Sequence, residues 1–260
     1  MCSWYGRRKD PITLSGSEPD PFADGLTEML TGSLKPYVSA LADLFFPQRC
    51  VGCERRASDL LCRDCFEALP TIGRPVCARC GMPTAFETFV CGECKGVDFG
   101  FESARAPLRY EGVGKEIVHS LKYRGYTAVV ERLAAPLMLG ALDGGSRYDA
   151  FVPVPLHRSR LRRRGFNQAE LLARGVAKQI NAPVSDTLQV VRRTRDQVEL
   201  SAAGRRANVE GAYSARGRVR GTVLLIDDVF TTGATMSACA ETLLRAGAQE
   251  VHALSLCRTV

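Results

Sequence analysis

The chain has 260 residues, 45% hydrophobic and 24% charged. These are globular proportions and exclude a largely disordered chain. Its net charge of +7 is unevenly placed: fourteen Arg and one Lys oppose five acids between Pro155 and Arg220, which points to an anionic partner such as a phosphate, a nucleotide or a nucleic acid.

Residues 1–24 are rich in Pro, Gly, Ser and Asp without a hydrophobic period and are expected to be disordered. Their lack of an apolar stretch with a small-residue cleavage site argues against a secretory signal, and no apolar run is long enough for a bilayer span; a cytoplasmic protein is expected. Residues 25–46 read as a helical lead-in, with Leu26, Leu30, Leu34, Val38, Leu41 and Leu44 near helical spacing and Gly32 and Pro36 interrupting it. Residues 47–97 hold eight of the eleven cysteines. After them, the pattern predicts a strand over 103–110, helices over 113–123 and 127–142 (the latter kinked at Pro136), a strand over 150–154 and a helix over 167–180. A strand over 221–226, a helix over 234–246 closed by Gly247 and a last strand over 250–256 complete it. Alternating strands and helices over 100–260 predict an α/β domain with a parallel sheet flanked by helices. Such sheets bind ligands beyond the carboxyl ends of their strands.

Eight of the eleven cysteines form four CxxC pairs: Cys50/Cys53, Cys62/Cys65, Cys77/Cys80 and Cys91/Cys94. Two such turns converge on one tetrahedral zinc, so eight ligands make two closed four-thiolate sites of structural type. Sequential and interleaved pairing both fit the spacing. Four-cysteine sets also hold iron–sulfur clusters, and single CxxC pairs serve redox chemistry, but redox motifs rarely come in fours.

The sharpest string runs from Val223 to Thr235. Four aliphatic residues bury a strand, Asp227 and Asp228 emerge at its carboxyl end, and Thr231, Thr232, Gly233, Ala234 and Thr235 turn the chain into a helix. Amides at that helix start, with the Thr hydroxyls, suit a phosphate, and the two carboxylates suit the vicinal diol of a ribose. Together they describe a ribose 5-phosphate site. The lysine of a Walker loop is absent after Gly233. In phosphoacceptor receiver domains the acids follow the first strand, whereas here they fall in the last eighth of the chain.

This string resembles the phosphoribosyl pyrophosphate (PRPP) signature of type I phosphoribosyltransferases. From about Leu44 onward the chain resembles the ComF/GntX family, which is linked to natural competence and DNA utilisation. The likeness is carried by the four CxxC pairs, Leu121-Lys122-Tyr123-Arg124-Gly125, Val152-Pro153-Val154-Pro155-Leu156 and Arg164-Gly165-Phe166-Asn167-Gln168. Arg193-Thr194-Arg195 with Gln197, Leu200 and Ser201, and the terminal Cys257-Arg258-Thr259, complete it.

The resemblance implies a type I phosphoribosyltransferase-like sheet preceded by a small double zinc ribbon. It implies that Asp227 and Asp228 hold the ribose of PRPP or ribose 5-phosphate and that the turn from Thr231 to Thr235 holds the 5-phosphate. A pyrophosphate loop formed by Pro153, Val154, Pro155, Leu156, His157 and Arg158 would take the pyrophosphate with Mg²⁺. Arg162, Arg163 and Arg164 are candidates for gripping single-stranded DNA, or for clamping pyrophosphate. Competence or DNA-processing proteins, and a second copy of the chain in a homodimer, are the partners implied. The alternative to a DNA-handling module is an active phosphoribosyltransferase that moves ribose 5-phosphate to a nitrogenous base. His119, His157 and His252 are expected to be structural or surface residues, and Lys122 a solvated lysine near a helix end.

Overall fold

The computed structural model describes residues 48–124, 128–142, 147–192, 204 and 209–260. The expected tail and helical lead-in, Gly125, the stretch 193–195, Gln197, Leu200 and Ser201 lie outside the described residues. Among those described, no helix is long and apolar enough to cross a membrane.

The sheet is built from β1 (Ser103–Arg105), β2 (Leu108–Arg109), β3 (Ala150–Pro153), β6 (Thr222–Phe230) and β7 (Glu250–Arg258). All of its pairings are parallel, in the order β1-β7-β6-β3, with β2 also on β7. Pro107 splits the strand expected over 103–110, because proline gives the ladder no amide. A separate antiparallel pair, β4 (Leu188–Val190) with β5 (Tyr213–Ala215), was not legible in the hydrophobic pattern. β6 and β7 are the long strands. Val223, Leu224, Leu225 and Ile226 are fully buried, as their unbroken aliphatic run requires of a strand covered on both faces.

The helices are α1 (Arg63–Glu67), α2 (Gly112–His119), α3 (Ala135–Gly140), α4 (Arg158–Arg164), α5 (Gln168–Ile180) and α6 (Ala234–Arg245). α2 continues into a π-helical stretch, Ser120–Arg124. A second π-helical stretch, Val130–Ala134, precedes α3. The disturbance expected at Pro136 is this change of winding, with Pro136 in the first turn of α3, where a missing amide costs nothing. Asn167 caps α5 by accepting the Ala169 N–H at 3.1 Å.

Among the described residues two hydrophobic cores form, and each contains one cysteine set. Cys50 and Cys65 pack in a core with Leu108, Ile117, Phe151, Leu172 and Leu224. Cys77, Cys80, Cys91 and Cys94 pack with Phe101, Val152, Leu225 and Val251.

Candidate functional site

The metal centres follow from the knuckles. Cys50, Cys53, Cys62 and Cys65 bring their sulfurs within 4.8 Å of one another, and so do Cys77, Cys80, Cys91 and Cys94. Pairing is therefore sequential, and the interleaved option is set aside. Neighbouring sulfurs are 3.7 Å apart for Cys53 and Cys62, 3.6 Å for Cys80 and Cys91 and 3.7 Å for Cys91 and Cys94. A tetrahedron with zinc–sulfur bonds of about 2.3 Å has edges of about 3.8 Å. Backbone amides point at the sulfurs, from Cys62 to Cys50 and from Cys91 to Cys77, each at 3.3 Å. The Arg55 guanidinium, 3.3 Å from Cys53 Sγ, holds that thiol down at about 6. The two sets fit two structural zinc ions and leave no open coordination position.

At the sheet edge, β3 and β6 run side by side with Pro153 opposite Ile226, and the Val154 N–H donates to the Ile226 carbonyl at 2.8 Å. The loop after β3 and the acids of β6 therefore share one edge. The strand does not stop at Ile226 as expected. β7 continues to supply ladder partners, so Asp227 pairs with Ser255 and the strand runs to Phe230. Strand alternation starts the two side chains on opposite faces, but their carboxyl groups still meet, and a side-chain hydrogen bond between them is among the causes of the rise at Asp227.

Asp228 is 4% exposed and meets Lys122 Nζ at 2.5 Å. Burial works against the Lys122 ammonium, but Asp228 outweighs it and leaves the lysine above its ordinary range. Lys122 is thus a buried ion-pair partner and not the solvated lysine expected from the sequence. Its place was legible, since it lies four residues after Val118 and eight after Gly114, both buried in α2. Asp227 accepts the Asp228 N–H through Oδ1 at 2.8 Å. Burial, and then the Asp228 charge, push its carboxyl well above the usual range. Tyr213 of β5 stands on this side, hydrogen-bonded to Thr235 and raised by burial and by the charges of Cys239 and Asp227. No sequence signal marked it.

The turn after β6 leads into α6 through a left-handed glycine. Gly233 sits at φ 75° as the N-cap residue of α6 and, being glycine, brings no side chain to the helix's first amides. Among the described residues Thr232 Oγ1 is buried with no hydrogen-bond partner, a state that costs free energy unless a ligand or water meets it. A Cβ on Gly233 would lie 2.7 Å from Phe230 Cζ and 2.8 Å from Phe99 Cε1. Gly233→Ala should therefore cost about 1 kcal/mol or more in chemical denaturation, by strain at positive φ and by contact with both rings. Unchanged stability would show that the turn is not held as described.

Beyond β3, Pro155 and Leu156 lead to His157, which caps α4 by accepting the Ser159 N–H at 3.2 Å. The hydrophobic pattern predicts no helix here. Asn167 Nδ2–H donates to the Val154 carbonyl at 3.0 Å and fixes the loop's base. Arg158, Arg162 and Arg163 of α4 are exposed. Arg164 is not free: it bonds Gln168 and lies over the Tyr123 ring at 5.6 Å. The fold thus brings together Asp227, Asp228, Pro153 and Val154, with the 231–235 turn following β6, while Arg162 and Arg163 stand on an outward helix. Of the histidines, His119 packs against Tyr123 at 4.8 Å, and His252 bonds Ser103 and Glu250.

Comparison with known proteins gives the same two parts. Residues 41–95 match the double zinc ribbon domain family, and residues 166–259 match the phosphoribosyl transferase domain family. The DNA utilization protein YhgH of Salmonella typhimurium is 34% identical over 71% of this chain and 85% of its own length. Competence protein F of Haemophilus influenzae is 28% identical over 82% of this chain and 98% of its own. Competence protein ComFC of Streptococcus pneumoniae is 29% identical over 78% and 90%.

Proposed function

Because the chain belongs to the family of double zinc ribbon and phosphoribosyl transferase domain proteins that includes DNA utilization protein YhgH and Competence protein F, we propose that it is a cytoplasmic PRPP-binding protein that handles single-stranded DNA in competence or DNA utilisation. The observation that carries the ligand is the buried Thr232 hydroxyl, without a hydrogen-bond partner among the described residues, beside the glycine-started α6 and downstream of the two carboxylates of β6. In this reading the 231–235 turn takes the 5-phosphate, and Asp227 and Asp228 accept hydrogen bonds from the ribose hydroxyls. The loop from Pro153 to Arg158 faces the pyrophosphate, whose charge bound Mg²⁺ would offset.

Calorimetric titration with PRPP and Mg²⁺, ribose 5-phosphate and single-stranded DNA tests it. Binding of both phosphate esters is expected, with PRPP the tighter. Binding of neither would remove the ligand reading, and pyrophosphate release with an added base would make the protein a transferase.

The DNA grip rests on the exposed arginines of α4, a helix with no buried residue. Arg162→Ala with Arg163→Ala should weaken single-stranded DNA binding and flatten its salt dependence, by about 0.7 in logarithmic slope for each phosphate no longer neutralised, while PRPP affinity is unchanged. Loss of PRPP binding with DNA binding intact would instead place these arginines at the pyrophosphate.

A further inference from the structure

The terminal Cys257-Arg258-Thr259 segment has no part in the ligand reading above, yet Arg258 is 2% exposed. Its Nη1 donates to the Cys80 carbonyl, its Nε donates to the Thr259 carbonyl at 3.2 Å, and its guanidinium lies over the Phe230 ring at 5.1 Å. Among the described residues no carboxylate pairs with it. A buried cation without a counter-charge is strongly unfavourable. The anion within reach is the cysteine set to which Cys80 belongs, since four thiolates around one Zn²⁺ leave an excess of negative charge.

The same arginine reaches the phosphate turn. The Phe230 ring beneath it and the Phe99 ring both border the space where a Cβ on Gly233 would fall, 2.7 and 2.8 Å from that point. Phe99, five residues after Cys94, stacks on Phe101 at 4.7 Å, and Phe101 meets Phe230 edge-on at 6.0 Å. The Thr259 N–H donates to the Phe230 carbonyl at 2.9 Å, and the Thr259 hydroxyl reaches the Thr231 carbonyl at 3.5 Å. Every support of the turn named here is tied to the second cysteine set or to Arg258.

We propose that Arg258 is a positioning residue for the phosphate-binding turn, with the zinc-loaded set of Cys77, Cys80, Cys91 and Cys94 as its counter-charge, so that zinc and a phosphate ester stabilise one another's sites. The inference rests on reading residues 231–235 as a phosphate site. Coupling between two bound ligands is reciprocal, so it is read from both ends. The rate at which a chelator captures zinc from the full chain is measured with and without saturating ribose 5-phosphate, alongside the ribose 5-phosphate affinity of the zinc-loaded wild type and Arg258→Met. In the wild type the ligand should slow capture of one of the two zinc ions about tenfold. Arg258→Met should bind ribose 5-phosphate about tenfold more weakly and lose the protection. Protection of neither ion in a wild type that binds the ligand, or equal protection of both, overturns the coupling even if the variant does not fold. So does an Arg258→Met protein with wild-type affinity. A wild type that binds no phosphate ester overturns the reading of the turn itself, and the inference with it.

Discussion

Asp227→Asn and Asp228→Asn should both lower PRPP affinity while moving stability in opposite directions. A carboxyl whose pKa rises on folding holds its proton more tightly in the folded state. Stability is then lost as pH climbs from the unfolded value of about 4 through the higher folded one. Asp227 is in that position, pushed up by burial and by Asp228. Asp227→Asn removes the penalty at neutral pH and keeps an acceptor for the Asp228 N–H, which now reaches Asp227 Oδ1 at 2.8 Å. It should melt higher, by about 2–4 °C for each kcal/mol relieved in a chain of this size. A carboxylate accepting hydroxyl hydrogen bonds is worth about 1.5–3 kcal/mol, so affinity should fall about tenfold to a hundredfold. Wild-type affinity should also fall as acid protonates Asp227.

Asp228→Asn differs because of Lys122. The change leaves a mostly buried ammonium, 21% exposed, without its 2.5 Å partner; breaking a fully buried pair from one side costs about 3–5 kcal/mol, and partial solvation trims that cost here. The double variant Asp228→Asn with Lys122→Met should recover stability without recovering binding. Thermal melts and PRPP titrations of the three proteins check this. Unchanged PRPP affinity in both single variants would remove the ribose assignment, and an Asp228→Asn protein as stable as the wild type would remove the ion pair's role.

How much of this was legible depended on what each residue answers to. The aliphatic run at Val223 announced a buried strand because a strand covered on both faces needs no alternation. Where that strand ends was not legible, since its ladder is fixed by β7 and carries Asp227 and Asp228 along regardless of charge. The two acids were found, but not the lysine, Lys122, that holds Asp228. The π-helical stretch at Ser120–Arg124 escaped because a few residues of wider winding barely alter a hydrophobic period. α4 has no apolar stripe, and its signals were the His157 cap and Gly165 at φ 87°. Four CxxC pairs gave the ligand set but not its pairing, which depends on which knuckles the fold brings face to face.

That placement leads to the largest effect expected of any change. A zinc ribbon hung on a separate stalk could lose its metal and leave a sheet standing. Here Cys50 and Cys65 share a core with Leu108, Phe151 and Leu224, and Cys77, Cys80, Cys91 and Cys94 share the other with Phe101, Val152 and Val251. Structural zinc contributes about 10–16 kcal/mol of apparent binding free energy in small sites, as much as the whole stability of a typical domain, about 5–15 kcal/mol. Removing either ion also leaves buried thiols where an ion had drawn them together, and loosens the strands packed on them. Cys62→Ser with Cys65→Ser, and Cys91→Ser with Cys94→Ser, should each retain at most one zinc per chain and lose the native sheet signal in far-ultraviolet circular dichroism at temperatures where the wild type is folded. Chelation of the wild type should lower the sheet signal step by step as each zinc ion leaves. A metal-free protein whose sheet melts at the wild-type temperature would show that the cysteine sets stabilise only themselves, and that the shared cores do not couple them to the strands bearing Asp227 and Asp228.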